Sequence, residues 1–199
     1  AARVAGMPRG TTALLTATLA ARAAAVLGGA YHCLECRDGF IAYDRPTIAK
    51  AVSLVRQVRP AVVFAASPDD YLIDHEVSSA LVRNAAFFAG VPNLKTEPFE
   101  KLRPVPHVYY ADPVELKDLL GRPVKPSIAV DVSAVIEVKS RMLACHASQR
   151  DWLQKQHGMD EYIQAMLSMG EQRGKLIDSP YAEGFRQHLG HGYPQGDLL

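Results

Sequence analysis

The chain has 199 residues, of which 48% are hydrophobic and 22% are charged, and its formal net charge is +1. That length suits one compact domain with its own core. The basic residues are spread along the chain, which argues against a nucleic-acid-binding face, since such faces cluster Lys and Arg. No apolar run reaches the ~18 residues that a membrane-spanning helix needs.

The first part of the chain predicts a helix and a short strand. The Ala- and Leu-rich run from Thr11 to Leu27 favours a helix, which Gly28 and the glycine after it end. Tyr31 to Leu34 is a short strand candidate, and the Asp-Gly pair at 38–39 predicts a turn.

Three cysteines give an odd count. Cys33 and Cys36 form a single C-x-x-C pair, and Cys145 lies far away in the sequence. A zinc site built from paired cysteines would need a second pair at suitable spacing. We therefore interpret all three as ordinary reduced cysteines of a cytoplasmic protein, where disulfides are rare.

The middle of the chain carries the clearest periodicity. Arg45 to Val58 has apolar residues at helical spacing and predicts an amphipathic helix. The apolar run Ala61 to Ala66 predicts a strand buried on both faces inside a parallel sheet. A polar loop, Ser67 to Ile73, follows, and a second helix is predicted from about Asp74 to Ala89.

The second half alternates between the same two kinds of element. A loop is predicted over Pro92 to Pro106, and strands are predicted over His107 to Tyr110 and Ser127 to Val132. Helices are predicted over Ser133 to Ala147 and Asp160 to Met169. The rest, Gly174 to Leu199, is predicted to be a surface tail with a short helix around Ala182 to His188. This alternation predicts an α/β fold with a largely parallel sheet and helices on both faces. With no repeat and no clear linker, we expect a single domain over residues 1–199.

One loop concentrates polar chemistry. Asp69, Asp70, Tyr71, Asp74 and His75 lie within seven residues, directly after a predicted strand. Ligands of open α/β sheets bind beyond the carboxyl ends of the strands. A neutral imidazole at such a junction, with a carboxylate to fix its tautomer, is a good metal ligand. The plainer alternative is an ordinary turn with an N-cap aspartate and a surface histidine.

The loop also resembles a family signature. Residues 67–75 read S-P-D-D-Y-L-I-D-H, similar to the S-P-x-D-Y-H-P-D-H segment of the LmbE/PIG-L deacetylases. Further pieces resemble that family in the same order: R-P-A-V-V at 59–63, D-V-S at 131–133, H-A-S-Q at 146–149 and Y-A-E-G-F at 181–185.

The resemblance implies a Rossmann-like fold holding one zinc ion, Zn²⁺, which polarises an amide carbonyl and activates water while a carboxylate takes the proton. It implies a hydrolase that removes an acetyl group from a small-molecule N-acetylated amino sugar of the N-acetylglucosamine type, or from a glycoconjugate. The residues expected in the site are His75 as the metal ligand, Asp74 and Tyr71 as catalytic groups (Tyr71 as an oxyanion donor), and Asp70, Tyr110, Asp112 and His146 as substrate-binding groups.

The chain departs from the family pattern at two points. The first signature, A-H-P-D-D, which supplies two ligands and the base, is absent, and we expect it upstream of Ala1 in a longer gene product. Leu72 stands where the family has a histidine, and leucine can neither donate a hydrogen bond nor carry a proton. The acid role would then fall to Tyr71, His107 or His146.

Two other classes of protein stay open. A non-catalytic homologue could bind a glycoconjugate or a partner protein with the same fold, as Leu72 and the missing signature suggest. A nucleotide-binding Rossmann protein ranks last, because no G-x-G-x-x-G follows a predicted strand. A homo-oligomer is compatible with the sequence, which does not fix the oligomeric state.

Overall fold

A computed structural model describes residues 9–96, 100–146 and 161–199, and only the backbone of residues 9–16 and 161. Its elements, in chain order, are α1 (Arg9–Ala25), α2 (Arg45–Val58), β1 (Val62–Ala65), α3 (Ile73–Phe88), β2 (His107–Ala111), a 3-10 turn (Val114–Leu116), β3 (Ile128–Asp131), a second 3-10 turn (Ser133–Val135), α4 (Ile136–Ala144), α5 (Glu161–Gly174) and β4 (Ala182–Gln187). Helices and a four-stranded sheet confirm the α/β fold.

Two compact units make up the described chain. One comprises Ala1–Cys33 with Asp131–Ala182, and the other comprises Leu34–Val130 with Glu183–Leu199. In the first unit α1 packs on α4, and α4 on α5. In the second, α2 packs on α3, and α3 packs on β1 and β2.

The sheet is mixed rather than largely parallel. Its strand order is β1-β2-β4-β3, and β1 pairs with β2 in parallel. β4 pairs with β2 in antiparallel register, with Tyr110 opposite Arg186. Among the described residues β1 is an edge strand, so the expectation that it lies inside the sheet is wrong, and Phe64 on this strand is 52% exposed.

β4 corrects a second prediction. The segment Ala182 to His188, expected as a short helix in a surface tail, forms an inner strand between β2 and β3. Ala182, Gly184 and Phe185 are buried there. Pairing with strands distant in the sequence outweighs the local preference that suggested a helix, because strand propensity depends mainly on packing context.

The prediction of a strand at Tyr31 to Leu34 is also wrong. No strand forms at residues 31–34, and Tyr31, His32 and Cys33 are exposed. Short apolar runs become strands only where a neighbouring strand satisfies their backbone groups, and among the described residues nothing pairs with this run. The three cysteines are reduced.

The helices of the second unit agree closely with the sequence. α2 has the predicted bounds because Asp44 caps it, its carboxylate accepting a hydrogen bond from the Thr47 N–H at 2.9 Å. α3 begins and ends one residue before the predicted helix. Among the described residues of this unit, buried side chains cluster between α2 and α3 (Ile48, Ala51, Val52, Leu81, Ala85) and between α3 and the sheet (Ala65, Ala86, Val108, Tyr110).

Arg56 fixes the chain that follows α3. This residue of α2 is 5% exposed. Its guanidinium donates to the carbonyl oxygens of Ala89 (3.0 Å), Val91 (2.8 Å) and Leu94 (2.8 Å), and to the Thr96 hydroxyl (2.9 Å). A buried arginine, which cannot lose its proton, is thus satisfied by acceptors from a single segment.

The other helices differ from the prediction mainly at their ends. α1 lies within two residues of the predicted helix, and α5 runs five residues past the predicted end at Met169. The predicted helix from Ser133 begins as a 3-10 turn, and Ala147, its predicted end, lies outside the described residues. Over the described ranges, no helix has the length and apolar character needed to cross a membrane.

Candidate functional site

The centre of the candidate site is a histidine oriented by a buried carboxylate. His75 lies in the first turn of α3, and its Nδ1 is 2.8 Å from Asp70 Oδ1. The His75 side chain is 39% exposed, whereas that of Asp70 is 4% exposed. A carboxylate at Nδ1 stabilises the tautomer with its proton on Nδ1 and leaves Nε2 as an electron-pair donor.

Local hydrogen bonds shape the loop between β1 and α3. The Ser67 hydroxyl donates to the Asp69 carbonyl oxygen at 2.7 Å. Asp70 Oδ1 also accepts from the Leu72 N–H at 3.2 Å, and the Asp70 N–H donates to a Glu76 carboxylate oxygen at 3.1 Å. These contacts hold the Asp70 carboxylate at the Nδ1 edge of the His75 ring.

Asp74, predicted as a catalytic group, points to a neighbouring loop. It is 4% exposed, and its carboxylate accepts from the backbone N–H groups of Gly39 and of Ile41, the latter at 3.3 Å. The Asp74 carboxylate thus anchors the backbone of residues 39–41. Its predicted role in catalysis stays a prediction.

Removing the Asp74 carboxylate should destabilise the fold. Hydrogen bonds to a charged group contribute about 1.5–3 kcal/mol, so we expect Asp74→Ala to lower the free energy of unfolding by about that amount. Asp74→Asn keeps one oxygen acceptor and should lose less. Urea denaturation measures both variants, and equal losses for Ala and Asn would contradict a contribution from the acceptor oxygen that Asn keeps.

Tyr71 and Leu72 line the open side of the site. Tyr71 is 68% exposed, and its ring stands edge-on to His75 with the ring centroids 5.6 Å apart. Its phenol is thus accessible to a bound molecule. The Leu72 side chain contributes only apolar surface, and the cap position it occupies at α3 makes no side-chain hydrogen bond.

Tyr110 belongs to a second group of polar side chains. Its hydroxyl lies 3.0 Å from Nδ1 of His188, and the His188 ring stands edge-on to Tyr193 at 4.3 Å. The Tyr193 hydroxyl donates to the carbonyl oxygen of Arg83 at 2.8 Å. Burial raises the pKa of Tyr110, and it raises the pKa of Tyr193 to about 12, so both phenols stay protonated.

This environment predicts a pH dependence of stability. Burial, together with the positive charge of Arg83, lowers the pKa of His188 below its usual 6.5. The unfolded chain therefore takes up a proton at a higher pH than the folded chain does. The contribution of His188 to stability is complete above about pH 6.5 and is lost as the pH falls towards the folded-state pKa.

The measurement compares the free energy of unfolding at pH 7.5 and pH 5.5. We expect His188→Gln to lose less stability between these pH values than the wild type does. His191, which is exposed, gives the matched control, and His191→Gln should keep the wild-type difference. An unchanged difference in His188→Gln would contradict this assignment.

The contacts described for His75, with Asp70 and Tyr71, include none of the remaining predicted residues. Asp112 follows β2 and is half-buried. His107 begins β2, where its ring stacks on Tyr109. His146 lies two residues beyond the end of α4, in the first unit, and residues 147–149 of the H-A-S-Q piece lie outside the described residues. The substrate-binding roles of Asp70, Tyr110, Asp112 and His146 stay predictions.

Sequence reasoning missed Arg186. From β4, its Nη2 donates to the Ser67 hydroxyl at 2.8 Å and so ties that strand to the loop that carries His75. The small residues Ala182 and Gly184 at alternate positions were a signal for a strand, but the pairing of β4 with β2 that sets Arg186 opposite Tyr110 depends on segments distant in the sequence.

The side chains that could act as metal ligands show whether the described residues fit the implied zinc ion. A catalytic zinc needs three protein ligands besides its open position. Over residues 9–96, 100–146 and 161–199, no three His, Cys, Asp or Glu side chains come together in a way that could hold a metal ion. His75 fits one ligand position, but the described residues do not form a complete zinc site.

Comparisons with known proteins agree with the motifs. No family model matches the chain. The chain is 26% identical to 4-oxalmesaconate hydratase of Pseudomonas putida over 82% of its length, and 28% identical to diacetylchitobiose deacetylase of Thermococcus kodakarensis over 83%. It spans about three-fifths of the length of these curated relatives, 62% and 59% respectively.

Solved structures show the same fold. The chain matches the 4-carboxy-2-hydroxymuconate hydratase of Pseudomonas putida (TM-score 0.76, 23% identity, 99% of this chain and 80% of that one). It also matches a conserved protein of Thermus thermophilus (0.71, 26%, 90% and 75%) and the N,N'-diacetylchitobiose deacetylase of Pyrococcus horikoshii (0.75, 21%, 98% and 72%). The chain is therefore similar in sequence and fold to enzymes of the LmbE-like type, among them a deacetylase and a hydratase.

Proposed function

We propose that this protein is a zinc-dependent hydrolase that removes an acetyl group from an N-acetylated amino sugar or glycoconjugate. The observation that carries the proposal is the Asp70–His75 pair beyond the carboxyl end of β1. The similarity to a diacetylchitobiose deacetylase over 83% of the chain supports the choice of reaction.

His75 has one ligand position in this proposal. Asp70 holds its ring by Nδ1, so Nε2 faces away from that carboxylate as the donor atom. At least one further ligand would come from residues outside the described ranges, since the described ones supply no group of three. The complete protein is therefore the species to test.

The residues around His75 each have a role in this proposal. Asp70 fixes the ring orientation, and Asp74 holds the 39–41 loop against the start of α3. Tyr71, exposed next to the His75 ring, is placed to donate a hydrogen bond to a substrate oxygen that gains negative charge. Leu72 cannot take part in proton transfer.

The test measures bound metal and acetate release by the complete protein. Zinc content is determined after purification without added metal, and acetate is assayed with N-acetylglucosamine and N,N'-diacetylchitobiose as substrates. We expect about one zinc per chain and acetate release that a chelator abolishes. A protein with neither zinc nor amidase activity on these sugars would contradict the proposal.

A second candidate is a hydratase reaction, the addition of water to a carbon–carbon double bond. The similarity to 4-oxalmesaconate hydratase over 82% of the chain favours it. Loss of ultraviolet absorbance from 4-oxalmesaconate, with no acetate release from the sugars, would support this reaction over deacetylation.

A further inference from the structure

Two arginines meet at the face of the sheet that α3 covers. Arg186 of β4 lies opposite Tyr110 of β2 in the antiparallel register, so both side chains lie on one face. Tyr110 packs in the cluster that contains Ala86 of α3. Arg83 of α3 adjoins the same side chains, because its carbonyl oxygen accepts a hydrogen bond from the Tyr193 hydroxyl at 2.8 Å and the Tyr193 ring stands edge-on to His188 at 4.3 Å. Its positive charge also lowers the pKa of His188.

The two arginines are the charged members of this group of side chains. The ion pairs His75–Asp70, Lys117–Glu115 and Arg122–Asp118 of the described residues involve neither of them. The phenol of Tyr110 stays protonated because burial raises its pKa, and His188 stays neutral near pH 7 because its pKa is lowered. The two guanidinium groups thus give this group a charge of about +2 at neutral pH.

Two buried polar atoms at this face also have no partner in the described part of the chain. They are Arg186 Nε and the Ser79 hydroxyl oxygen. Ser79 is 1% exposed and lies on the side of α3 that carries Val82 and Ala86, both of which pack on the sheet. Proteins rarely leave buried donors unmatched, and such atoms call for an explanation.

The arginines lie within reach of the His75 loop. Arg186 donates to the Ser67 hydroxyl at 2.8 Å, and Ser67 begins the loop that holds Asp70 beneath His75. Arg83 follows His75 by eight residues on α3, about 12 Å along the helix axis at ~1.5 Å per residue. A molecule of sugar size with a charged substituent spans such a distance.

We propose that Arg83 and Arg186, together with Tyr110 and His188, form a subsite for an oxyanion carried by the substrate, a carboxylate or a phosphate group. Guanidinium groups recognise both through paired N–H donors, which a neutral sugar does not need. Both arginines are part-exposed, so an anion can approach from solvent. This inference rests on the proposed function and narrows its substrate to an anionic N-acetylated molecule.

The first test is calorimetry of the complete protein with inorganic phosphate and with succinate, which separates the two oxyanion types without any turnover. We expect one of them to bind, and Arg83→Gln and Arg186→Gln each to weaken that binding at least tenfold. Arg45→Gln removes an exposed arginine at the start of α2 and should bind like the wild type. The lysine variants Arg83→Lys and Arg186→Lys keep the charge and serve if a glutamine variant fails to fold.

The second test compares acetate release from N-acetylglucosamine, N-acetylglucosamine 6-phosphate and N-acetylmuramic acid. We expect a charged substrate to have a KM at least tenfold lower than that of N-acetylglucosamine. Arg83→Gln and Arg186→Gln should each raise the KM of the charged substrate at least tenfold more than they raise the KM of the neutral sugar. Anion binding without acetate release would uphold the subsite and reject the deacetylase. Acetate release with no anion bound, or equal weakening by Arg45→Gln, would overturn the subsite.

Discussion

Replacing His75 by alanine should lower acetate release by at least about 100-fold, the lower range for losing a group that acts directly in the chemistry. It should also lower the zinc content of the purified protein, because the ring nitrogen left by the Asp70–His75 hydrogen bond is the only ligand assigned from the described residues. Initial rates and atomic emission on the same preparations measure the two effects.

Asp70→Asn tests the carboxylate behind the ring. Carboxylate partners of metal-bound histidines typically contribute 10- to 100-fold to metal affinity or activity, so we expect a loss of about that size. His191→Ala removes an exposed histidine of the same unit and should keep the wild-type rate. A His75→Ala protein with full activity and full zinc content would rule out the assignment of this residue.

The largest effect on stability should come from Arg56. Arg56→Met keeps much of the apolar side-chain volume but removes four hydrogen bonds to the segment after α3. Since bonds from charged donors contribute about 1.5–3 kcal/mol each and water can satisfy some of the acceptors left behind, we expect a loss of about 3–5 kcal/mol. For a chain of this length, that lowers Tm by roughly 10 °C.

Arg45→Met provides the control for the loss of one arginine. This residue is exposed at the start of α2, and surface substitutions usually change stability by no more than about 0.5 kcal/mol. Thermal unfolding followed by circular dichroism compares the two variants. Similar Tm values for Arg56→Met and Arg45→Met would show that the four hydrogen bonds add little to stability.

The helices of the second unit could be predicted because their determinants are local. The Asp44 cap and the apolar stripe of α2 specify a helix without reference to the rest of the chain. Strand β1 was also found, but its place at the edge of the described sheet was not. The neighbours of a strand depend on distant segments, which the periodicity of one apolar run does not contain.

The missed elements depend on long-range pairing. Residues 182–187 become a strand because β2 and β3 lie on either side, and neither neighbour is close in the sequence. Tyr31 to Leu34 shows the opposite case, a run predicted as a strand that joins no sheet in the described part of the chain. Propensity alone ranks these two segments in the wrong order.

The residues of the candidate site also fall into two groups, those set by local sequence and those set by long-range pairing. Asp70 and His75 could be predicted because they lie close together in the sequence, where a strand joins a helix, in a segment that resembles a known family motif. Arg83, Arg186 and His188 could not, since they converge on Tyr110 only through the sheet register and the packing of α3. Because Ala182 to His188 was predicted as a surface helix, its residue Arg186 was expected to be an ordinary solvent-exposed arginine.

The inner position of β4 has a consequence for how the protein is made. On the ribosome, β1 and β2 can pair while β4 has not yet been synthesised, because Gln187 follows Tyr109, its register partner, by 78 residues. The growing chain therefore carries an open β2 edge until β4 emerges. Closing so long a loop makes this the slow step of assembly, and nascent chains stalled before β4 are the species that chaperones should bind.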